Sequence, residues 1–176
     1  MEQYASSFSG LCIMVFQDLG QIPISAGKPY TSGSGTAGEW DITAVIGLAG
    51  SAKGAVSLSM KKAVALQLTD KLSGGTHIAI DKDVIDLLGE IANIIGGRAK
   101  QIMEGEFRFE TALPVVIVAT GQEVVNGQGH SLNWSESPIR NIRIPFTIFE
   151  TERFILSVSV QDATANMKQG GIKSIA

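Results

Sequence analysis

The chain is 176 residues long, 44% hydrophobic but only 6% aromatic, with 20 glycines, which predicts one domain with an aliphatic core and many tight backbone positions. A formal net charge of -3 gives no electrostatic reason to expect nucleic acid or an acidic membrane surface as a partner. No window reaches the ~18–20 unbroken apolar residues of a membrane span, and the start of the chain, with Glu2 and several serines but no basic stretch, does not read as a signal peptide.

From Tyr4 to Leu19 the residues Phe8, Leu11, Cys12, Val15, Phe16 and Leu19 recur at helical spacing, and this helix is expected to end at Gly20, before Pro23. Cys12 is the only cysteine. It reads as a small core residue, and a lone thiol makes no internal disulfide, so a reducing cytoplasm is the expected compartment. Ser25 to Gly38 is rich in Gly, Ser and Thr and predicts a loop. Trp40 to Ala49 and Ala55 to Met60 are expected to pair as a hairpin across Gly50–Gly54. Ala63 to Leu72 reads as a helix closed by Gly74-Gly75.

Asp83 to Met103 is the strongest helical pattern, and Asp81 or Asp83 can cap it. After Pro114 come a short apolar strand, Val115 to Ala119, and a polar excursion over 122–138. Arg140 to Glu150 and Phe154 to Gln161 then form a second hairpin, in which Pro145 predicts an edge position or a bulge. Residues 1–163 are expected to form a single domain and 164–176 a frayed tail. The segments Ala55–Met60 and Ile155–Val160 look alike, each ending a hairpin that follows a helix and a proline, which suggests a weak internal duplication of a helix–strand–strand unit. The expected fold class is α+β, a mainly antiparallel sheet with long helices packed on it.

On a helical wheel, Val84, Leu87, Leu88, Ile91, Ile94, Ile95 and Ile102 fall within about 60° of one direction and predict the core stripe. Asp86, Glu90 and Asn93 cluster on the other side at spacings of four and three, so their side chains project together towards solvent. Gly89, Gly96 and Gly97 are expected on or beside this polar face. Each costs about 1 kcal/mol relative to Ala inside a helix, roughly 3 kcal/mol together, which a merely solvated face would not offset. From residue types alone the face also reads as an ordinary solvated surface, and the glycines as a packing surface for another part of the chain or for a second copy.

Asp86-x-x-x-Glu90-x-x-Asn93, followed by Gly96-Gly97 and, with twenty residues separating it from Asn93, by Pro114, resembles the signature of the CheC/CheX/FliY family of response-regulator phosphatases. That signature is Asp or Ser, three residues, Glu, two residues, Asn, then a proline, here slightly nearer than usual. The hairpin strand Gly54–Ser59, followed by a helix, is similar to the family's first hairpin, and the resemblance runs from about Phe8 to Val160. CheC-like members carry the signature on two related helices. The first helix here has Ile13 and Phe16 where the second pair would be sought, so the resemblance is to single-site, CheX-like members, which are typically homodimers.

The resemblance implies a phosphatase acting on the aspartyl phosphate of a phosphorylated CheY-like response regulator in chemotaxis. Glu90 and Asn93 would be its catalytic residues, and Asp86, Gly89, Gly96, Gly97 and Pro114 would contact the partner. No cofactor of its own is implied, Mg²⁺ being supplied by the regulator. The alternative is a regulator-binding or flagellar-switch-like adaptor of the same fold that catalyses nothing. His77 and His130 lack a cysteine partner and metal-ligand spacing in sequence, so no metal site is expected. No serine lies in a Gly-x-Ser-x-Gly elbow, and the Gly-rich stretch 33–38 lacks the Lys of a phosphate loop. Arg98 is expected on the core side of the long helix, snorkelling or paired. Trp40 and Trp134 read as packing anchors, with a partner-facing role as the alternative for Trp134, which sits in a polar loop.

Overall fold

The computed structural model describes residues 1–31, 40–118 and 139–162. The Gly-rich stretch 33–38, the excursion 122–138 with His130 and Trp134, and the tail 164–176 lie outside the described residues.

Among the described residues three α-helices, α1 (Ala5–Gly20), α2 (Lys62–Ser73) and α3 (Lys82–Met103), accompany seven strands: β1 (Ile24–Ala26), β2 (Ile42–Gly50), β3 (Ala52–Met60), β4 (Phe109–Thr111), β5 (Val115–Val118), β6 (Ile139–Ile148) and β7 (Glu152–Asp162). The strands form one sheet in the order β1-β6-β7-β3-β2-β4, with β5 also on β2, and every pairing among them is antiparallel. The expected α+β class is the observed one.

The sheet is built from alternation. In β2 the residues Ile42, Ala44, Ile46 and Leu48 are buried and their neighbours are not. In β6 the same rule buries Ile142, Ile144, Phe146 and Ile148. With the side-chain period of two, these residues line one face, and the helices cover it. Phe154 of β7 stacks between Phe16 of α1 and Phe146 of β6, each ring centroid 5.0 Å away. Cys12 is fully enclosed in this core, and burial pushes its thiol pKa well above the ordinary value. A thiol held neutral there packs as a small hydrophobe.

The two look-alike segments are neighbours: β3 pairs with β7 with Ser57 opposite Ser157, Val56 opposite Val158 and Leu58 opposite Leu156. The helix ends follow local chemistry. α1 closes on Gln21 in the left-handed conformation, and α2 on Gly74. Asp41, from the start of the first hairpin, caps α2 by accepting from the Lys62 backbone N–H at 2.8 Å. Trp40 is half-buried just ahead of β2.

Several expectations change. β1 runs into the start of the stretch read as a loop from Ser25, and β4 precedes the strand expected after Pro114. At three residues each, they are too short to show a period. The turns are also tighter. β2 and β3 extend to Gly50 and from Ala52, and the second hairpin turns at Phe149-Glu150, both at positive φ (49° and 69°). Pro145 is not on an outer edge, because β6 lies between β1 and β7. β1 ends at Ala26, opposite Phe146, and the departing Gly27 N–H donates to the Pro145 carbonyl at 2.8 Å. The proline nitrogen, on that same side of its strand, therefore faces the place where the ladder has already stopped.

Candidate functional site

α3 begins where the sequence places it. Asp81 is the cap, its Oδ1 accepting from the Val84 N–H at 3.1 Å. Val84, Leu88, Ile91, Ala92, Ile95, Ala99 and Met103 are buried. Leu87, Ile94 and Ile102 of the expected stripe are only partly buried at its margin. The buried stripe is thus turned towards the small residues, which lets the helix lie close on β2.

Gly96 shows how close. A Cβ there would stand 2.7 Å from Ile46 Cγ2, so the helix backbone sits against the sheet where only hydrogen fits. Gly96 is buried and belongs to the helix–sheet contact, which corrects its expected place on the polar face. Gly89 is also buried. A Cβ there would meet Val116 Cγ2 at 3.6 Å and Pro114 Cγ at 3.9 Å, so it marks the border between α3 and the edge of the sheet. Gly97 alone of the three stands in the open, with nothing within 4 Å of a Cβ placed on it.

Asp86, Glu90 and Asn93 are exposed. Asp86 is engaged by Lys82, one turn earlier, in a hydrogen-bonded ion pair. Glu90 and Asn93 carry no side-chain hydrogen bond or ion pair among the described residues. They stand one turn apart on the side of α3 away from the core, with Gly97 next along the same line. Among the described residues the carboxylate and the amide are therefore not occupied.

The border beside them is made by an irregular edge. β4 and β5 both pair with β2, as one strand interrupted. Leu48 is opposite Thr111, and Val45 is opposite Val115. A regular ladder would bring Pro114 opposite Val45, so the edge strand holds one extra residue there, a bulge. Ala112 still donates to the Gly47 carbonyl at 2.9 Å. The bulge turns Leu113 outward, 87% exposed, leaves Val115 60% exposed, and lays Pro114 beside Gly89. Five of the seven predicted site residues, Gly89, Glu90, Asn93, Gly97 and Pro114, thus gather at one helix face and its rim. Asp86 is held on the same face by Lys82, and Gly96 lies beneath. The exposed Leu113 and Val115 were missed because nothing in an isolated apolar residue announces a bulge.

Among the described residues, Glu90 and Asn93 line neither of two grooves. A groove of about 330 Å³ lies between α1 and α3, lined by Leu11, Met14, Arg98 and Ile102 among others, and one of about 310 Å³ lies near Tyr30 and Ile142. Arg98 is half-buried as expected of a snorkelling residue, with a guanidinium nitrogen 3.7 Å from Asp18 of α1. The described residues here form an open helix face with a carboxylate, an amide and a raised apolar rim. It can enter a concave site on another macromolecule.

Residues 42–134 match the family model described as chemotaxis phosphatase CheX, a stretch that includes all of α3 and Pro114. The fold is similar to that of CheX from Desulfovibrio desulfuricans, with 27% identity and a TM-score of 0.70 over 90% of this chain and 99% of that one. It is similar to CheX from Vibrio vulnificus, with 24% identity and a TM-score of 0.70 over 90% and 99% of the two chains. A third similar structure is from Borrelia burgdorferi, a CheX–CheY–BeF3–Mg²⁺ complex, with 22% identity and a TM-score of 0.67 over 89% and 97%. A comparison with curated protein sequences gives no significant match. No helix among the described residues is long and apolar enough to cross a membrane.

Proposed function

Since the chain belongs to the CheX family, we propose that it hydrolyses the aspartyl phosphate of a phosphorylated CheY-type response regulator in chemotaxis, with Asn93 and Glu90 as the residues that enter the regulator's site. In the reaction a water oxygen attacks phosphorus, the bond from phosphorus to the aspartyl oxygen breaks, and inorganic phosphate leaves. The regulator's own Mg²⁺ and Lys stabilise the phosphoryl oxygens. What a docking protein adds is the position of the water, and ordering one reactant is worth several kcal/mol.

Asn93 suits that role. A neutral amide both donates and accepts hydrogen bonds, so it holds a water in line without bringing charge to a phosphate, as a glutamine does in small GTPases. Glu90, one turn earlier, would pair with the phosphate-site Lys of the regulator and set the register of docking. Asp86 is tied to Lys82 and contributes to the rim rather than to the reaction. Gly97 leaves room for the partner's backbone, and Pro114 and Leu113 form the apolar side of the contact. The homodimer that the family resemblance implies belongs to this reading, with one such face on each copy.

The observation that carries the proposal is the exposure of Glu90 and Asn93 together, one turn apart and without a side-chain partner among the described residues, on the helix the family model covers. Support from outside comes from the Borrelia burgdorferi relative, whose structure is a complex with CheY. The test is phosphate release from a phosphorylated receiver domain, with and without this protein. Asn93→Ala is expected to lose about 3 kcal/mol of stimulation, roughly a hundredfold, with unchanged melting, since Ala is a better helix former than Asn. Stimulated release that survives in Asn93→Ala overturns the assignment. Binding of the receiver domain without any stimulation by the parent protein would instead identify an adaptor.

A further inference from the structure

The link between α2 and α3 gathers four titratable groups that the proposed reaction does not use. His77 lies in this link, with its side chain only 9% exposed. Its backbone N–H donates to Asp70 Oδ1 at 2.7 Å, and its ring Nδ1 lies 2.7 Å from the same oxygen. An ionised carboxylate only accepts, so Nδ1 carries the hydrogen and the tautomer is fixed.

The other ring nitrogen is poorly served. Nε2 stands 3.9 Å from Asp81 Oδ2 and 3.7 Å from Asp83 Oδ2, with no hydrogen bond to either. Oδ1 of Asp81 is committed to the helix cap, which turns Oδ2 towards the ring. Among the described residues no acceptor lies within hydrogen-bond distance of Nε2, and the nearest carboxylate oxygens are these two. A cation shared by the three groups would satisfy the imidazole lone pair and both carboxylates at once.

We propose that His77 Nε2, Asp81 Oδ2 and Asp83 Oδ2 bind one divalent transition-metal cation, with Asp70 as the outer partner that fixes the imidazole. The three donor groups lie within 4.8 Å of one another. Ligands about 2.0–2.2 Å from a shared ion stand no more than about 4.4 Å apart, so closure needs only a small rotation. Asp81 and Asp83, with side chains 50% and 75% exposed, are free to make it. An imidazole beside two carboxylates favours Zn²⁺ or Co²⁺ over Mg²⁺ or Ca²⁺, which take oxygen ligands. A carboxylate behind the metal-binding histidine is the usual outer support of such sites.

A cation at a helix N-terminus meets the positive end of the dipole, and three carboxylates outweigh it here. The same groups favour a proton on the ring. The pKa of His77 is raised above its ordinary value, chiefly by the hydrogen bond to Asp70, with Asp81 and Asp83 adding to it and partial burial opposing. Metal uptake therefore displaces a proton and strengthens as pH rises. Bound, the ion fastens the end of α2 to the first turn of α3, about 10 Å along the helix from Glu90.

The experiment uses the full, tag-free chain, stripped of metal by dialysis. Zn²⁺ is titrated calorimetrically at mildly alkaline pH, and Co²⁺ is followed by its visible absorption. One ion per chain is expected, with a rise in melting temperature. Asp70→Asn should weaken binding about tenfold to a hundredfold, and His77→Ala should abolish it. If His77→Ala does not fold, Asp83→Asn removes a ligand from an exposed position and is expected to lose the stoichiometric site. Absence of Zn²⁺ and Co²⁺ binding, or binding unchanged in these variants, overturns the proposal. Neither readout involves phosphate release, so the fate of the proposed activity is separate.

Discussion

α1 and α3 bury one stripe each beneath the same face of the sheet. α1 contributes Phe8, Leu11, Cys12, Val15 and Phe16 to the core, and α3 contributes Val84, Leu88, Ile91 and Ile95. Their outward chemistry differs. At a spacing of three residues, α3 carries Glu90 and Asn93, both exposed. At the same spacing, α1 carries Ile13, 40% exposed, and Phe16, 0% exposed and stacked on Phe154. So α1 does not merely lack the polar pair; the second of its two positions is inside the core. The exposed carboxylate–amide pair of α3 thus has no counterpart at these two positions of α1, because of how α1 is rotated on the sheet.

The largest effect that would sharpen this contrast is on stability. Building the missing amide into α1 with Phe16→Asn removes a ring whose truncation alone costs about 3–5 kcal/mol and adds a buried amide without partners, for about another 1–3 kcal/mol. Urea denaturation is expected to show a loss of at least about 4 kcal/mol, enough to unfold a marginal domain. The equivalent polar position in α3, Asn93, should tolerate Ala without loss. A stable Phe16→Asn protein would mean that α1 can turn its face outward, and the contrast between the helices would fail.

The same distinction explains what could be read in the sequence. The long alternations of β2, β3, β6 and β7, the cap at Asp81 and the exposed faces of Glu90 and Asn93 follow from periods that run for nine residues or more. The short β1 and β4 have no room for a period, and the bulge at Leu113-Pro114 depends on register with β2, which is a property of two segments. The wheel misplaced Gly96 because a residue on the flank of a helix faces whatever happens to lie beside it, and only the sheet says that this is Ile46. The His77 cluster escaped for a related reason. Asp70 reaches it from α2 and Asp81 and Asp83 from α3, so its geometry belongs to the packing of two helices rather than to a spacing along one.

A medium effect is expected at Gly96. Ala there sets a methyl 2.7 Å from Ile46 Cγ2 and 3.1 Å from its Cβ, and Cβ cannot swing aside as a flexible side-chain tip can. Overpacking of this kind costs about 1–3 kcal/mol, partly offset by the better helix propensity of Ala. Thermal melting should fall by several degrees. A stabilised Gly96→Ala protein would show that α3 does not lie as closely on β2 as the Ile46 contact requires.

Gly97, the next residue, is expected to respond in the opposite direction and by the smallest amount. A methyl there meets nothing within 4 Å, so Gly97→Ala should raise stability by up to about 1 kcal/mol through helix propensity alone. A glycine where Ala would be more stable gains nothing within the described fold, but it keeps the surface beyond Asn93 low. If a receiver domain settles on that surface, the added methyl should raise the KM for the phosphorylated regulator while leaving kcat less affected, because docking rather than water alignment is disturbed. Gly97→Ala that is more stable and has an unchanged KM would confine the contact to Glu90, Asn93 and the Pro114 rim.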